Sequence, residues 1–216
     1  TYDPKVAHDL GTAFTDELLT SFTDKNEVYY AIHWSEEKND WSLCEQGVVD
    51  KLIEFSKSEY PTRILGFPAF LFKIIKDFNL TLDLGADSWL LTGDGWKNHA
   101  DEQIPKDEFR EFIEKSIGIP KCNQRDLFGM VEHGIPYVDS ENGKLRIPNY
   151  ARVYIRDPKT LEILDYGEPG IIQFLCCYNS SYPNFNILTT DWGVINKSDD
   201  SHPADILEIL GRAGLN

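Results

Sequence analysis

DLFGMVEHG, residues 126–134, sets an aromatic residue, a glycine and a lone glutamate in close order inside an otherwise apolar run. Two readings compete for it. In the first, a strand ends near Phe128, Phe128 and Met130 enter a core, and Glu132 is a solvated turn residue. In the second, Phe128 is a shelf for a purine ring, worth roughly 1–3 kcal/mol by comparison with base–aromatic stacking, and Glu132 holds a hard cation that bridges phosphate oxygens. The segments on either side of the stretch have to choose between them.

On its N-terminal side lies LLTGDGWKN, residues 90–98, where Gly93 and Gly95 flank Asp94 at the end of a predicted strand. Glycines there let backbone approach a ligand closely; the plainer reading is a tight turn with Trp96 over the core. On its C-terminal side, TTDWG (189–193) places Asp191 at the end of the predicted strand FNILTT. A carboxylate there can accept hydrogen bonds from both ribose hydroxyls, against the plainer reading of an Asp-initiated turn. GRAG (211–214) adds Arg212 after a glycine that would stop a helix. Its bland counterpart is an ordinary helix C-terminus. Of the five histidines, only His133 stands beside a candidate site, and Lys97 likewise adjoins one.

The elements between these motifs are legible from periodicity. Leu10, Phe14, Leu18 and Phe22 line one face of an expected first helix. VYYAIHW (28–34) reads as a strand, and QGVVDKLIEFSKSEYP as a helix stopped by Pro61. TRILGFP turns from a short strand through Gly66 into the helix FPAFLFKIIKDFN, with Pro68 at its first position. IPKDEFREFIEKSIG has acidic residues in its first turn and Gly118 just past its end, the strongest helix pattern in the chain. This alternation predicts an α/β lobe over residues 1–140 with a largely parallel sheet and flanking helices. Residues 141–210 read as a β-rich subdomain of hairpins punctuated by DP, YG and PG turns. HPADILEILGRAGLN reads as a short helix ending in Gly211.

Composition excludes several functions. The chain of 216 residues carries 36 acidic against 21 basic side chains, a formal charge of −15, so nucleic acid is not an expected partner. A phosphate-bearing small molecule is compatible, because a metal ion or backbone amides can supply positive charge locally. The four cysteines form no CxxC pattern, and Cys176 and Cys177 sit in the apolar run IIQFLCCY, which suits a reducing compartment. With no signal peptide and no apolar stretch near 18 residues, the expectation is a cytoplasmic protein without a membrane span. No GxSxG nucleophile motif supports a hydrolase.

Taken in order, these signals are more specific than any alone. A glycine-rich loop, an aromatic-Gly-x-x-Glu, a β-rich stretch with GEPG, a TxD and a late Gly-Arg together resemble the adenylate-forming superfamily of acyl and aryl ligases. Within it, FPAFLFKIIK, TGDGWKN and FGMVEHGIPY are similar to the acyl-protein synthetases, LuxE-like proteins, over about residues 60–214. The resemblance implies the large-domain portion of an adenylate-forming enzyme, with ATP and Mg²⁺ as cofactors, a small carboxylic acid as substrate and an acyl-accepting or acyl-donating protein as partner. By motif it implies that Phe128 packs on adenine with Gly129 beside it, Glu132 binds magnesium, Asp191 holds the ribose, and Arg212 lies at a hinge spanning 211–216. It places the loop of Gly93, Asp94, Gly95 and Trp96 toward the acyl pocket, and Lys97 and His133 are candidates for the same pocket because each adjoins a motif.

Two positions depart from the family pattern: GDGWK stands where many members have GGE, and Val131 where a threonine often contacts the α-phosphate. Residues 1–65 show no Ser/Thr/Gly-rich phosphate loop, and no small domain follows the hinge, so the chain is expected to be the middle and late part of a longer enzyme, inactive alone. The reaction implied is formation of an acyl-adenylate followed by acyl transfer to a protein thiol or similar acceptor. A phenylacetate-CoA-type ligase and a non-catalytic acyl- or nucleotide-binding module stand as the alternatives.

Overall fold

A computed structural model of the chain describes residues 2, 20–93, 95–96, 102–130, 132–178, 184–198 and 203–212. Residues 8–19 of the expected first helix, Asp94, Lys97 and Val131 lie outside the described residues, and Phe22, expected on that helix's core face, is exposed. The chain divides into two compact units, Thr1–Gln124 and Arg125–Asn216.

In the first unit, strands β1 (Ile32–Ser35) and β2 (Asp40–Leu43) pair antiparallel, with Trp34 opposite Trp41 and their rings 5.5 Å apart edge-on. Helix α1 (Glu45–Phe55) buries Val49 and Leu52. It stops six residues before Pro61: nothing from Lys57 to Tyr60 is buried, so no apolar face continues past Phe55. Strands β3 (Arg63–Gly66) and β4 (Trp89–Gly93) are parallel, from Arg63 opposite Trp89 to Gly66 opposite Thr92. Helix α2 (Pro68–Asp77) lies on the crossover between them, with Pro68 opening it and Leu71, Phe72, Ile74 and Ile75 on its buried side.

Helix α3 (Lys106–Ile117) buries Phe109, Ile113 and Ile117 at four-residue spacing and ends in Gly118 at φ 76°. A β-carbon on Gly118 would meet the backbone and carboxylate of Asp83, so both conformation and space require glycine there. The core gathers Leu52, Phe72, Leu90, Trp96, Phe109 and Ile113.

The second unit opens inside β5 (Gln124–Phe128), which pairs antiparallel with β6 (Tyr137–Val138), setting Phe128 opposite Tyr137. A five-stranded antiparallel sheet follows, in the order β7 (Leu145–Arg146), β11 (Ile206–Arg212), β10 (Asn186–Asn196), β9 (Gly170–Cys176) and β8 (Ala151–Arg156). Burial alternates along β8 and β9, as in a sheet with one covered face. Ala151, Val153, Ile155, Ile172, Phe174 and Leu207 form that core. The expected β-rich texture is therefore present, and the sheets as a whole are mixed, parallel where a helix crosses over and antiparallel elsewhere.

Two local expectations are corrected. Residues 206–212 form strand β11 and no helix. ILEIL is too short to separate the two periods, and pairing decides it: Leu207 lies opposite Ile195 on one side and Leu145 on the other, with Leu207 buried and Glu208 and Leu210 exposed. Asp191 does not end its strand either. Strand β10 continues to Asn196 through register irregularities flanking the TTDWG segment. Gly193 permits this, because a β-carbon there would collide with Glu208 O and the Ile172 side chain, each 2.7 Å away.

Candidate functional site

Asp126–Phe128 form the end of β5, and a tight turn follows. The N–H groups of His133 and Gly134 both donate to Met130 O, at 3.1 and 3.0 Å, and Gly134 adopts φ 71°. Phe128 is half-buried, its ring 5.8 Å from Phe174 and 6.4 Å from Tyr137. A β-carbon on the exposed Gly129 would meet only Pro136, at an ordinary 3.9 Å, so the space beside the Phe128 shelf is open.

Glu132 and His133 point opposite ways. Glu132 is exposed, and its carboxylate makes no hydrogen bond or ion pair among the described residues, while its backbone carbonyl accepts from Asn184 Nδ2 at 2.6 Å. His133 is only 1% exposed. Its ring stacks on Phe174 at 4.9 Å and on Tyr137 at 5.8 Å, Nε2 lies 3.0 Å from Tyr137 Oη, and Nδ1 has no hydrogen-bond partner. Burial holds the imidazole neutral by lowering its pKa, and raises that of the Tyr137 phenol, which stays protonated.

Asp191 and Arg212 are cross-strand partners on β10 and β11, with Asp191 Oδ1 3.7 Å from Arg212 Nε. The Asp191 side chain is 15% exposed, its main-chain N–H donating to Thr189 Oγ1 at 3.0 Å. Burial raises its pKa; the exposed Arg212 works against that, and the charge of Glu132 adds to it. The turn and the strand pair both belong to the second unit.

Phe128, Gly129, Glu132, His133, Asp191 and Arg212 all lie in this unit, the first four around the turn after β5 and the last two on paired strands. Of the acyl-side candidates, Gly93, Gly95 and Trp96 lie in the first unit, whereas His133 lies in the second, buried in its aromatic core. Gly95 has φ 62° with open space around its α-carbon, and Trp96 packs in the core against Phe72 and Phe109 at 5.4 and 6.1 Å. Sequence reasoning missed three supporting residues. Tyr137 was in view, in the run IPY after the turn; Phe174 read as a plain strand residue; Asn184 carried no signal.

Comparison with known proteins bears on the family and the fold of the chain. The long-chain-fatty-acid–luciferin-component ligase of Vibrio harveyi is 28% identical over 153 residues, covering 69% of this chain and 40% of that protein. Its counterpart from Aliivibrio fischeri is 26% identical over 170 residues, covering 76% of this chain and 45% of the relative. The chain therefore spans less than half the length of these relatives.

Among solved structures, 2-hydroxyisobutyryl-CoA ligase in its postadenylation state superposes with a TM-score of 0.58 at 16% identity, over 78% of this chain and 35% of that one. A long-chain-fatty-acid-CoA ligase from Archaeoglobus fulgidus gives 0.53 at 14% identity, over 78% of this chain and 37% of that one. The chain thus shares the fold of about a third of each of these CoA ligases. Residues 23–215 match the acyl-protein synthetase, LuxE, family, and the chain belongs to it.

Proposed function

We propose that this chain supplies the nucleotide-side half of an ATP-dependent ligase that activates a carboxylic acid, a fatty acid by analogy with the named relatives. The observation that carries this reading is that the half-buried Phe128, the exposed Glu132 carboxylate and the cross-strand pair of Asp191 with Arg212 all lie in the second unit, where the charge of Glu132 is among the causes that raise the Asp191 pKa. In the first half-reaction a substrate carboxylate oxygen attacks the α-phosphorus of ATP, the bond to the β-phosphate oxygen breaks, and pyrophosphate leaves. In the second, a thiolate or similar nucleophile attacks the acyl carbon and AMP leaves. The Phe128 face supports the adenine and the Asp191 carboxylate accepts from the ribose hydroxyls, with the exposed Arg212 beside that carboxylate.

The residues fit a divalent cation carried on the nucleotide. The described residues hold no cluster of three or more candidate ligands, so no all-protein cage is available among them. Mg²⁺ characteristically takes one or two carboxylates together with substrate phosphate oxygens. The unpartnered Glu132 carboxylate, repelling Asp191, is such a ligand. When bound, Mg²⁺ neutralises charge developing on the phosphate oxygens.

The acceptor fits a protein thiol, as the family name acyl-protein synthetase suggests. The cytoplasm is the compartment we favour, because Cys176 and Cys177 stand adjacent at the end of the apolar strand β9 without a disulfide, as suits a reducing environment. No helix among the described residues is long and apolar enough to cross a membrane. Carboxylate-dependent exchange of labelled pyrophosphate into ATP by the full-length protein, across short, long-chain and aryl acids, tests the function. Exchange with a fatty acid, reduced about 100-fold by Glu132→Ala, is the expected result. Unchanged exchange in that variant would remove Glu132 from the reaction, and no exchange with any acid would leave a binding module.

A further inference from the structure

His133 is chemically out of place where it sits. Its environment is the aromatic core of the second unit, where leucine or phenylalanine would pack without leaving a ring nitrogen unpaired. The Tyr137 hydroxyl and His133 Nε2 have each other, at 3.0 Å, and no other partner for either is found among the described residues. Tyr137 donating to Nε2 is the cheaper arrangement, since the reverse leaves the phenol proton unpaired as well. The ring is then held from several sides: Phe174 beneath it, the Tyr137 hydroxyl at its edge, and its own backbone N–H closing the turn on Met130 O.

The residue before it is Glu132, which faces outward as His133 faces inward, with its carbonyl held by Asn184. Phe128, on the other side of the turn, shares the same aromatic cluster through Tyr137 and Phe174. A carboxylate on an exposed turn would otherwise sample many directions, losing part of its binding free energy to ordering. We propose that His133, through its hydrogen bond to Tyr137, is a positioning residue: it anchors the 130–134 turn so that the Glu132 carboxylate is set in advance toward a divalent cation carried on the nucleotide phosphates. This rests on the reading of Glu132 as the metal-binding carboxylate.

The test is a binding measurement, independent of turnover. ATP affinity of the full-length protein is determined by titration calorimetry in EDTA and again in excess Mg²⁺, giving the metal-dependent gain for wild type, His133→Phe, Tyr137→Phe, the double variant and Glu132→Gln. Phenylalanine at 133 keeps the ring stack and deletes only the hydrogen bond. Both single variants are expected to shrink the gain by about tenfold, the scale for residues that orient a metal ligand, with no further loss in the double variant and metal-free affinity unchanged.

A residue that merely fills the core would leave the gain intact. If both variants keep the full gain while Glu132→Gln abolishes it, the anchoring role is wrong and Glu132 stands. If Glu132→Gln also keeps the gain, the metal reading and the anchor fall together. A drop of metal-free affinity equal to the whole loss would place His133 in general support of the aromatic shelf and overturn the proposal. Should His133→Phe not fold, Tyr137→Phe carries the same comparison.

Discussion

Asp191 shows at the scale of one residue how a binding role sets itself against stability. Its carboxyl is largely enclosed, and burial together with the charge of Glu132 raises its pKa despite Arg212. A carboxylate whose pKa is higher in the folded than in the unfolded chain, where it is about 3.9, binds protons more tightly when folded, so stability falls as pH rises between the two values and stays reduced at neutrality. Asp191→Asn is therefore expected to raise the melting temperature at pH 7, with the gain disappearing as the pH is lowered through the folded pKa, while ATP affinity drops. Thermal denaturation at several pH values, beside nucleotide binding, checks both halves. Arg212 is 72% exposed and solvent screens its attraction, so losing that pair offsets little. The identity of Asp191 as a candidate was legible from TTDWG; its burial was not, because that depends on strands distant in sequence.

At the scale of the element, β11 separates two periodicities that its five apolar-rich residues alone do not. As a strand it turns Leu207 inward and Leu210 outward, leaving them 2% and 49% exposed. A helix would have set the two, three apart, on one face. Leu207→Ala is expected to cost about 2–5 kcal/mol of stability and Leu210→Ala no more than about 0.5 kcal/mol, measured by urea unfolding. Equal costs would argue for the helical reading. The helices α2 and α3 were legible because each carries its own stop and start chemistry, Pro68 in one and Gly118 in the other, and a sustained apolar face. In β11 the hydrogen-bond partners come from β10 and β7, and no local signal announces them.

For the whole molecule, the formal charge of −15 makes self-repulsion a general cost of the compact state. Raising NaCl from about 20 to 300 mM, which shortens the screening length from roughly 20 to 6 Å, is expected to increase the melting temperature. A fall would mean that attractive surface pairs such as Lys73–Glu45, 3.0 Å apart, outweigh the net repulsion. Screening should also leave the buried aromatic cluster around His133 untouched, since stacking and desolvation there carry little long-range charge.

By itself the sequence determined the α/β then β-rich progression, the helices α2 and α3 and the order of motifs that resembles the family, because these rest on local periodicity, caps and short spacings. Only the tertiary structure decided that residues 206–212 are a strand, that Asp191 lies inside a bulged strand beside Arg212, that the second compact unit begins at Arg125, and that His133 is buried under Phe174 while Glu132 faces solvent. Each of those depends on which distant strand lies alongside, and burial is a property of the packed unit and not of the stretch that enters it.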